Sequence, residues 1–269
     1  MRVITNPDTA RRPKLRPLLA IALIGLTLPG VTEARWKPRT TTGPWQWQLT
    51  GRVDLDVRAR VFDIDGLNAK ASTVRALHRR RRRAVCYVAV GTHEPFRSDA
   101  KRFPPEVLGR RLSGFPDERW LDIRRIDLLA PVLRARLDTC ARKGFDGVEP
   151  DNVDGYANRT GFPLTGADQL RFNRWIAREA HIRNMAVGLK NDTAQVKKLV
   201  RNFDFAVVEQ CFEYSECRAY SPFVKARKPV FVAEYAVKPA RFCASARRLR
   251  FSAIYKRLEL GRFRRTCPR

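Results

Sequence analysis

Glu149 and Asp151 stand two residues apart where a short apolar run, Phe145 to Val148, opens into Asn152 and Asp154. Residues two apart on an extended chain share a side, so both carboxylates point the same way where a buried strand meets a polar site. Burying two carboxylates together is costly unless something pairs them or uses them. Glu209 ends a second run of this kind, Phe203–Glu209, with Val207 on its side. Carboxylates facing each other across a cleft can cleave a glycosidic bond, one protonating the leaving oxygen and the other acting as nucleophile or base. Carboxylates can also hold a divalent metal. That use normally adds histidines, and the chain has only His78, His93 and His181, two of them on helical patterns. No Cys or Cys/His group has zinc spacing, and serine or cysteine nucleophiles lack a base nearby. From these residues alone, glycoside cleavage and a carboxylate-held metal both stay open.

These residues need a frame. From residue 57 onward, short apolar runs alternate with helical patterns, which predicts parallel βαβ units. Strands are expected at Val57–Asp63, Ala84–Gly91, Trp120–Ile123, Gly144–Glu149, Ala186–Asn191, Phe203–Glu209, Val230–Glu234 and Phe251–Tyr255. Helices are expected near 68–79, 127–143, 166–183, 193–201, 218–227 and 239–249, with Thr165 and Thr193 as N-caps. Eight strands predict an α/β fold, a single (β/α)8 TIM barrel, with Trp45–Leu49 as a short extra N-terminal segment over one end. No glycine-rich phosphate fingerprint follows the first strand, which removes a dinucleotide-binding reading.

Barrels of this kind work at the carboxyl ends of their strands. Those ends carry Asp63 and Asp65; His93 and Glu94; Asp122; Glu149, Asp151, Asn152 and Asp154; Lys190, Asn191 and Asp192; Glu209; Glu234 and Tyr235; and Lys256. Seven of the eight ends thus hold a carboxylate, in a chain with 54 Lys and Arg against 27 Asp and Glu. An acidic crater on a basic body is the expectation. Trp45, Trp47, Tyr87, Trp120, Tyr156, Phe212 and Tyr235 could stack on sugar rings.

Residues 1–34 read as a signal peptide, with Arg11, Arg12, Lys14 and Arg16 before the apolar Leu18 to Leu28 and a small-residue site at Thr32-Glu33-Ala34. Retention as an anchor is the alternative. The domain then spans 35–269, secreted or held in the cell envelope or periplasm. Six cysteines suit an oxidising compartment. Cys211 with Cys217 and Cys243 with Cys267 are the plausible pairs, while Cys86 and Cys140 could be packed free thiols. The formal charge is +27; the first 34 residues hold five bases and two acids, leaving +24 on the rest. That favours electrostatic association with an anionic envelope. The bases are spread along the chain without interleaved base-stacking aromatics, so no specific nucleic-acid partner is expected.

Nine segments, in order, carry a likeness: Trp45–Leu49, Phe62–Asp65, Val85–Tyr87, Arg119–Arg124, Gly144–Tyr156, Gly188–Asn191, Phe203–Ala206, Glu209–Cys217 and Val232–Tyr235. Together they closely resemble glycoside hydrolase family 114, the endo-α-1,4-polygalactosaminidase family of TIM barrels, over roughly residues 43 to 257. The resemblance implies hydrolysis of α-1,4-linked galactosamine or N-acetylgalactosamine polysaccharide without a metal or organic cofactor. It puts the catalytic acids after the fourth and sixth strands, at Asp151 and Glu209, with Glu149 competing for the first role. Gln210 stands where the family pattern is often acidic. Asp63, Asp65, Tyr87, Asp122, Glu149, Asn152, Asp154, Tyr156, Lys190, Asn191, Glu234 and Tyr235 are the candidate substrate contacts. The chain is expected to act as a monomer. The alternative is a non-catalytic carbohydrate-binding barrel at the cell envelope.

Overall fold

The computed structural model describes residues 34–40 and 43–268. Residues 1–33, which hold nearly all of the expected signal segment, lie outside them. The elements run β1 (Trp45–Gln48), β2 (Val61–Asp65), α1 (Ala71–Arg79), β3 (Arg83–Ala89), β4 (Thr92–His93), β5 (Leu108–Leu112), β6 (Phe115–Leu121), α2 (Ile126–Lys143) and β7 (Gly147–Asp151). They continue with α3 (Gly166–Ile182), β8 (Ala186–Lys190), α4 (Val196–Leu199), β9 (Phe205–Glu209), α5 (Ser221–Lys225), β10 (Val230–Glu234), α6 (Pro239–Leu249), β11 (Ser252–Tyr255) and β12 (Arg265–Thr266). The main sheet has the order β1-β2-β3-β7-β8-β9-β10-β11-β12. Its first eight strands pair in parallel and only β12 is antiparallel. This is the (β/α)8 TIM barrel.

Its strands are not quite the expected eight. Trp45–Gln48 is the first barrel strand rather than a cover, while Trp120 lies in β6 of a separate antiparallel sheet, β4-β6-β5, and Ile123 beyond it. One strand gained and one lost leaves β7 fourth and β9 sixth, so the expected acids keep their places. In β1 the usual polarity is legible once the inside is known. Trp45 and Trp47 fill the barrel with Val61, Val85, Ala186, Phe205, Val207, Phe231, Ala233 and Ile254. Gln46 and Gln48 face the other way and donate to the carbonyls of Arg262, Thr50 and Arg52. No helix separates β1 from β2, so that outer face meets loop and tail rather than apolar helix.

A larger apolar layer, including Phe62, Ile64, Val88, Val148, Val187, Leu189, Val208 and Val232, lies between strands and helices. Burial of one such side chain contributes roughly 1.5–3 kcal/mol. Helix boundaries follow local chemistry. Thr165 and Asp168 form a reciprocal capping box at the start of α3, and Gly144, at φ 87°, ends α2 in the left-handed conformation. Thr193 is not an N-cap: it begins a 3-10 turn and bonds Tyr220 at 2.9 Å.

Three disulfides join Cys86 to Cys140, Cys211 to Cys217 and Cys243 to Cys267. The first corrects the expectation of free thiols: it ties β3 to α2 across 54 residues, a closure worth about 4 kcal/mol on chain-entropy grounds.

Candidate active site

Strand alternation decides which predicted residues meet. Asp151 ends β7, Lys190 ends the neighbouring β8, and Glu209 ends β9 beside Ala233. Their side chains converge at the carboxyl mouth of the barrel. Lys190 is the hub, with only 3% of its side chain exposed. Its Nζ lies 2.8 Å from Asp151 Oδ1, 3.1 Å from Glu209 Oε2 and 3.3 Å from Glu149 Oε1. The Trp47 ring lies beneath it, 4.8 Å from the ammonium, a cation–π contact in a dry site. Gly188, two residues earlier, is required because a Cβ there would meet the Phe205 ring at 2.3 Å.

Burial alone would make Lys190 lose its proton, but Asp151, Glu209 and Glu149 outweigh it and hold the amine well above its ordinary range. Asp151 is the mirror case. Burial would raise it, yet Lys190, the Tyr87 hydroxyl at 2.8 Å and the Asn152 amide at 2.8 Å keep it below the usual carboxylate value. Glu209 accepts from the Tyr235 hydroxyl at 2.5 Å, from Lys190 and, at 3.5 Å, from Asn191 Nδ2. Asn191 Oδ1 in turn accepts from the Glu209 amide at 3.0 Å. Glu209 is the more open acid, its side chain 25% exposed against 16% for Asp151.

Below them lie Glu149 and Asp63, both buried. Burial pushes Glu149 up to about 7, and burial together with Glu149 raises Asp63 well above its ordinary value. Adjacent buried carboxyls disfavour each other's charged form, and both members of this pair are pushed toward the protonated state.

Asn152, Asp154 and Tyr156 form the rim. Asn152 accepts from Thr92 Oγ1 at 2.8 Å. Asp154 is raised to about 6 by burial and by Asp151. The Tyr156 hydroxyl donates to Asp192 Oδ1 at 3.2 Å, and Asn173 supplies a second donor to that acid. Burial pushes Asp192 up to about 8. The residues after β7, β8 and β9 are left-handed: Asn152 (φ 62°), Asn191 (φ 47°) and Gln210 (φ 55°). Asn tolerates that region and Gln much less so; such strain gathers at functional mouths.

Three predicted contacts lie elsewhere. Asp65 is clamped by Arg97, with both oxygens within 2.9 Å of one nitrogen. Asp122 sits beyond β6 in a two-point ion pair with Arg124. Glu234 faces outward from β10, where it accepts from the Phe212 amide at 2.8 Å. Burial places it at about 7. Its neighbour Tyr235 takes the inward place. Sequence reading missed Glu118 on β6, which accepts from Thr92 at 3.0 Å and is driven up to about 7 by burial and Glu94. Nothing in the run Asp117-Glu118-Arg119 sets it apart from a solvated hairpin.

The description "Glycoside-hydrolase family GH114" fits residues 25–269 of the sequence. The chain belongs to this family. It is a glycoside hydrolase. Among solved structures, it is similar to Aspergillus fumigatus Ega3 in complex with galactosamine: 35% identical, TM-score 0.82, covering 89% of this chain and 100% of Ega3. The glycoside hydrolase domain of PelA from Pseudomonas aeruginosa shares the fold at 12% identity and TM-score 0.65, over 83% of this chain and 98% of that domain. An uncharacterized protein of Deinococcus radiodurans is 27% identical over 85% of this GH114 chain and 84% of its own length.

Proposed function

We propose that this GH114 chain hydrolyses α-1,4-linked galactosamine or N-acetylgalactosamine polysaccharide, with Asp151 and Glu209 as the reacting pair. The observation that carries the proposal is the single ammonium of Lys190, which joins two carboxylates from the fourth and sixth strands at 2.8 and 3.1 Å. Asp151 is held below its ordinary value and is the less exposed of the two, which suits a nucleophile or base, and Glu209, the more open acid, takes the acid step. Glu209 protonates the glycosidic oxygen as the bond to the anomeric carbon breaks, and Asp151 takes the developing positive centre. A shared cation favours the short separation of retaining pairs, about 5–5.5 Å, over the about 6.5–9.5 Å of inverting ones. A glycosyl ester on Asp151 would then be hydrolysed by water with Glu209 as base.

The substrate class rests on likeness to Ega3, crystallised with galactosamine, and on the excess of acids at the mouth. Export fits three disulfides, and the basic exterior fits attachment of a monomer to an anionic envelope. The test is reducing-end release from the polymer by the wild type and by Glu209→Gln and Asp151→Asn. Both variants should lose at least about 1,000-fold in kcat while still binding polymer. Full activity in either would remove that residue from the pair. Polymer binding without any release by the wild type would favour a binding barrel.

A further inference from the structure

Five large apolar side chains are strongly exposed among the described residues: Phe96, Phe115, Ile182, Tyr214 and Leu258. Tyr214 differs from the rest in where it sits and how it is held. It lies five residues after Glu209, on the loop leaving the reacting strand, with 60% of its surface open. The loop is tied down at several points. Cys211 is bonded to Cys217, and Phe212 stacks on Phe242 at 5.5 Å. Glu234 anchors the Phe212 amide. Gln210 spans the turn, donating to Glu213 at 2.9 Å and to the Tyr214 hydroxyl at 3.4 Å. Left-handed Gln210 and Ser215 set the turn's two corners.

An exposed aromatic ring fixed in this way loses little conformational entropy on meeting a ligand. The chemistry around it selects the ligand's charge. Residues 209–216 contain Glu209, Glu213 and Glu216 and no base, in a chain with 54 Lys and Arg. Phe96 offers the contrast: the Arg97 guanidinium already lies 5.2 Å from its ring, so its π face has a cation of its own.

Resting on the galactosamine reading above, we propose that Tyr214 and Glu213 form a sugar subsite beside the cleavage point that takes an amine-bearing, deacetylated galactosamine. The ring supports the sugar face and its ammonium, and Glu213 supplies the counter-charge.

The test is a calorimetric titration with galactosamine oligomers of one length, fully deacetylated or fully N-acetylated, in a Glu209→Gln background that prevents cleavage. Tyr214→Ala should weaken the deacetylated oligomer roughly three- to tenfold, and Tyr214→Phe should restore it. Glu213→Gln should weaken the deacetylated oligomer and spare the acetylated one. In the cleaving enzyme the loss should fall on KM rather than kcat. Equal affinity in Tyr214→Ala, or equal loss of both oligomers in Glu213→Gln, overturns the subsite. If neither oligomer binds the background protein and the wild type cleaves neither polymer, the galactosamine reading itself fails and the subsite falls with it.

Discussion

Replacing Lys190 by Met keeps much of the side-chain bulk and removes the one cation among the described residues that contacts Asp151, Glu209 and Glu149. Breaking a buried pair by deleting one partner costs about 3–5 kcal/mol, because the other charge stays behind unpaired. For a domain of this size that is a fall in Tm of roughly 10 °C. The pH dependence distinguishes this cause from simple loss of packing. In the wild type, Asp151 is held below its ordinary value; its stabilisation is complete above about pH 4 and is lost as pH falls through the lowered value. Lys190 is raised; its share is complete below about pH 10 and is lost only as pH climbs through the raised value. In Lys190→Met the carboxyls must take up protons to stay buried. A raised carboxyl costs stability as pH rises above its unfolded value, so the deficit should be largest near pH 8 and shrink toward pH 5. Urea unfolding of both proteins across that range measures it. A deficit that is flat with pH, or below about 1 kcal/mol at pH 8, would refute the view that Lys190 neutralises the cluster.

Tyr87→Phe removes one of the donors to Asp151; the acid limb of the kcat/KM profile should move upward in pH, with kcat down roughly tenfold. An unmoved limb would mean that Lys190 and the Asn152 amide set Asp151 without Tyr87. Asp192 is raised to about 8, so its burial penalises folding increasingly as pH rises from about 4. Asp192→Asn should therefore be more stable than the wild type at pH 7 and equal to it below about pH 4. The amide can still accept from Asn173 and donate to Tyr156, and denaturation curves at the two pH values decide it.

The polar residues of the mouth were legible because strand ends are local, while the choice of Asp151 and Glu209 among them as the proposed pair came from the family resemblance. A run such as Phe-Ala-Val-Val-Glu announces both a buried strand and the carboxylate at its mouth, and Asp151, Lys190 and Glu209 were found that way. What a single strand cannot announce is its neighbours. Trp-Leu-Asp-Ile reads as a barrel strand, yet Trp120 pairs antiparallel with Thr92; apolar content carries no direction. Glu234 and Tyr235 are adjacent, and only the register with Ala233 inside shows that Tyr235 enters the site while Glu234 leaves it. The pairing of Cys86 with Cys140 depends on α2 lying against β3, which no spacing of 54 residues encodes. The central role of Lys190 was hidden for the same reason: a buried amine is intelligible only beside the acids that three other positions supply.

The barrel seam has a temporal consequence. The first strand meets the last through side chains: Trp45 Nε1 donates to Ser252 O at 2.9 Å, Lys256 reaches Gln46, and Arg264 bonds the Trp45 carbonyl. The Cys243–Cys267 disulfide secures the tail that carries Arg264. The three hydrogen bonds span 207, 210 and 219 residues, so none can form before residues 252 to 264 have been synthesised. Trp45, made early, therefore waits for partners made some two hundred residues later before its place in the barrel is complete.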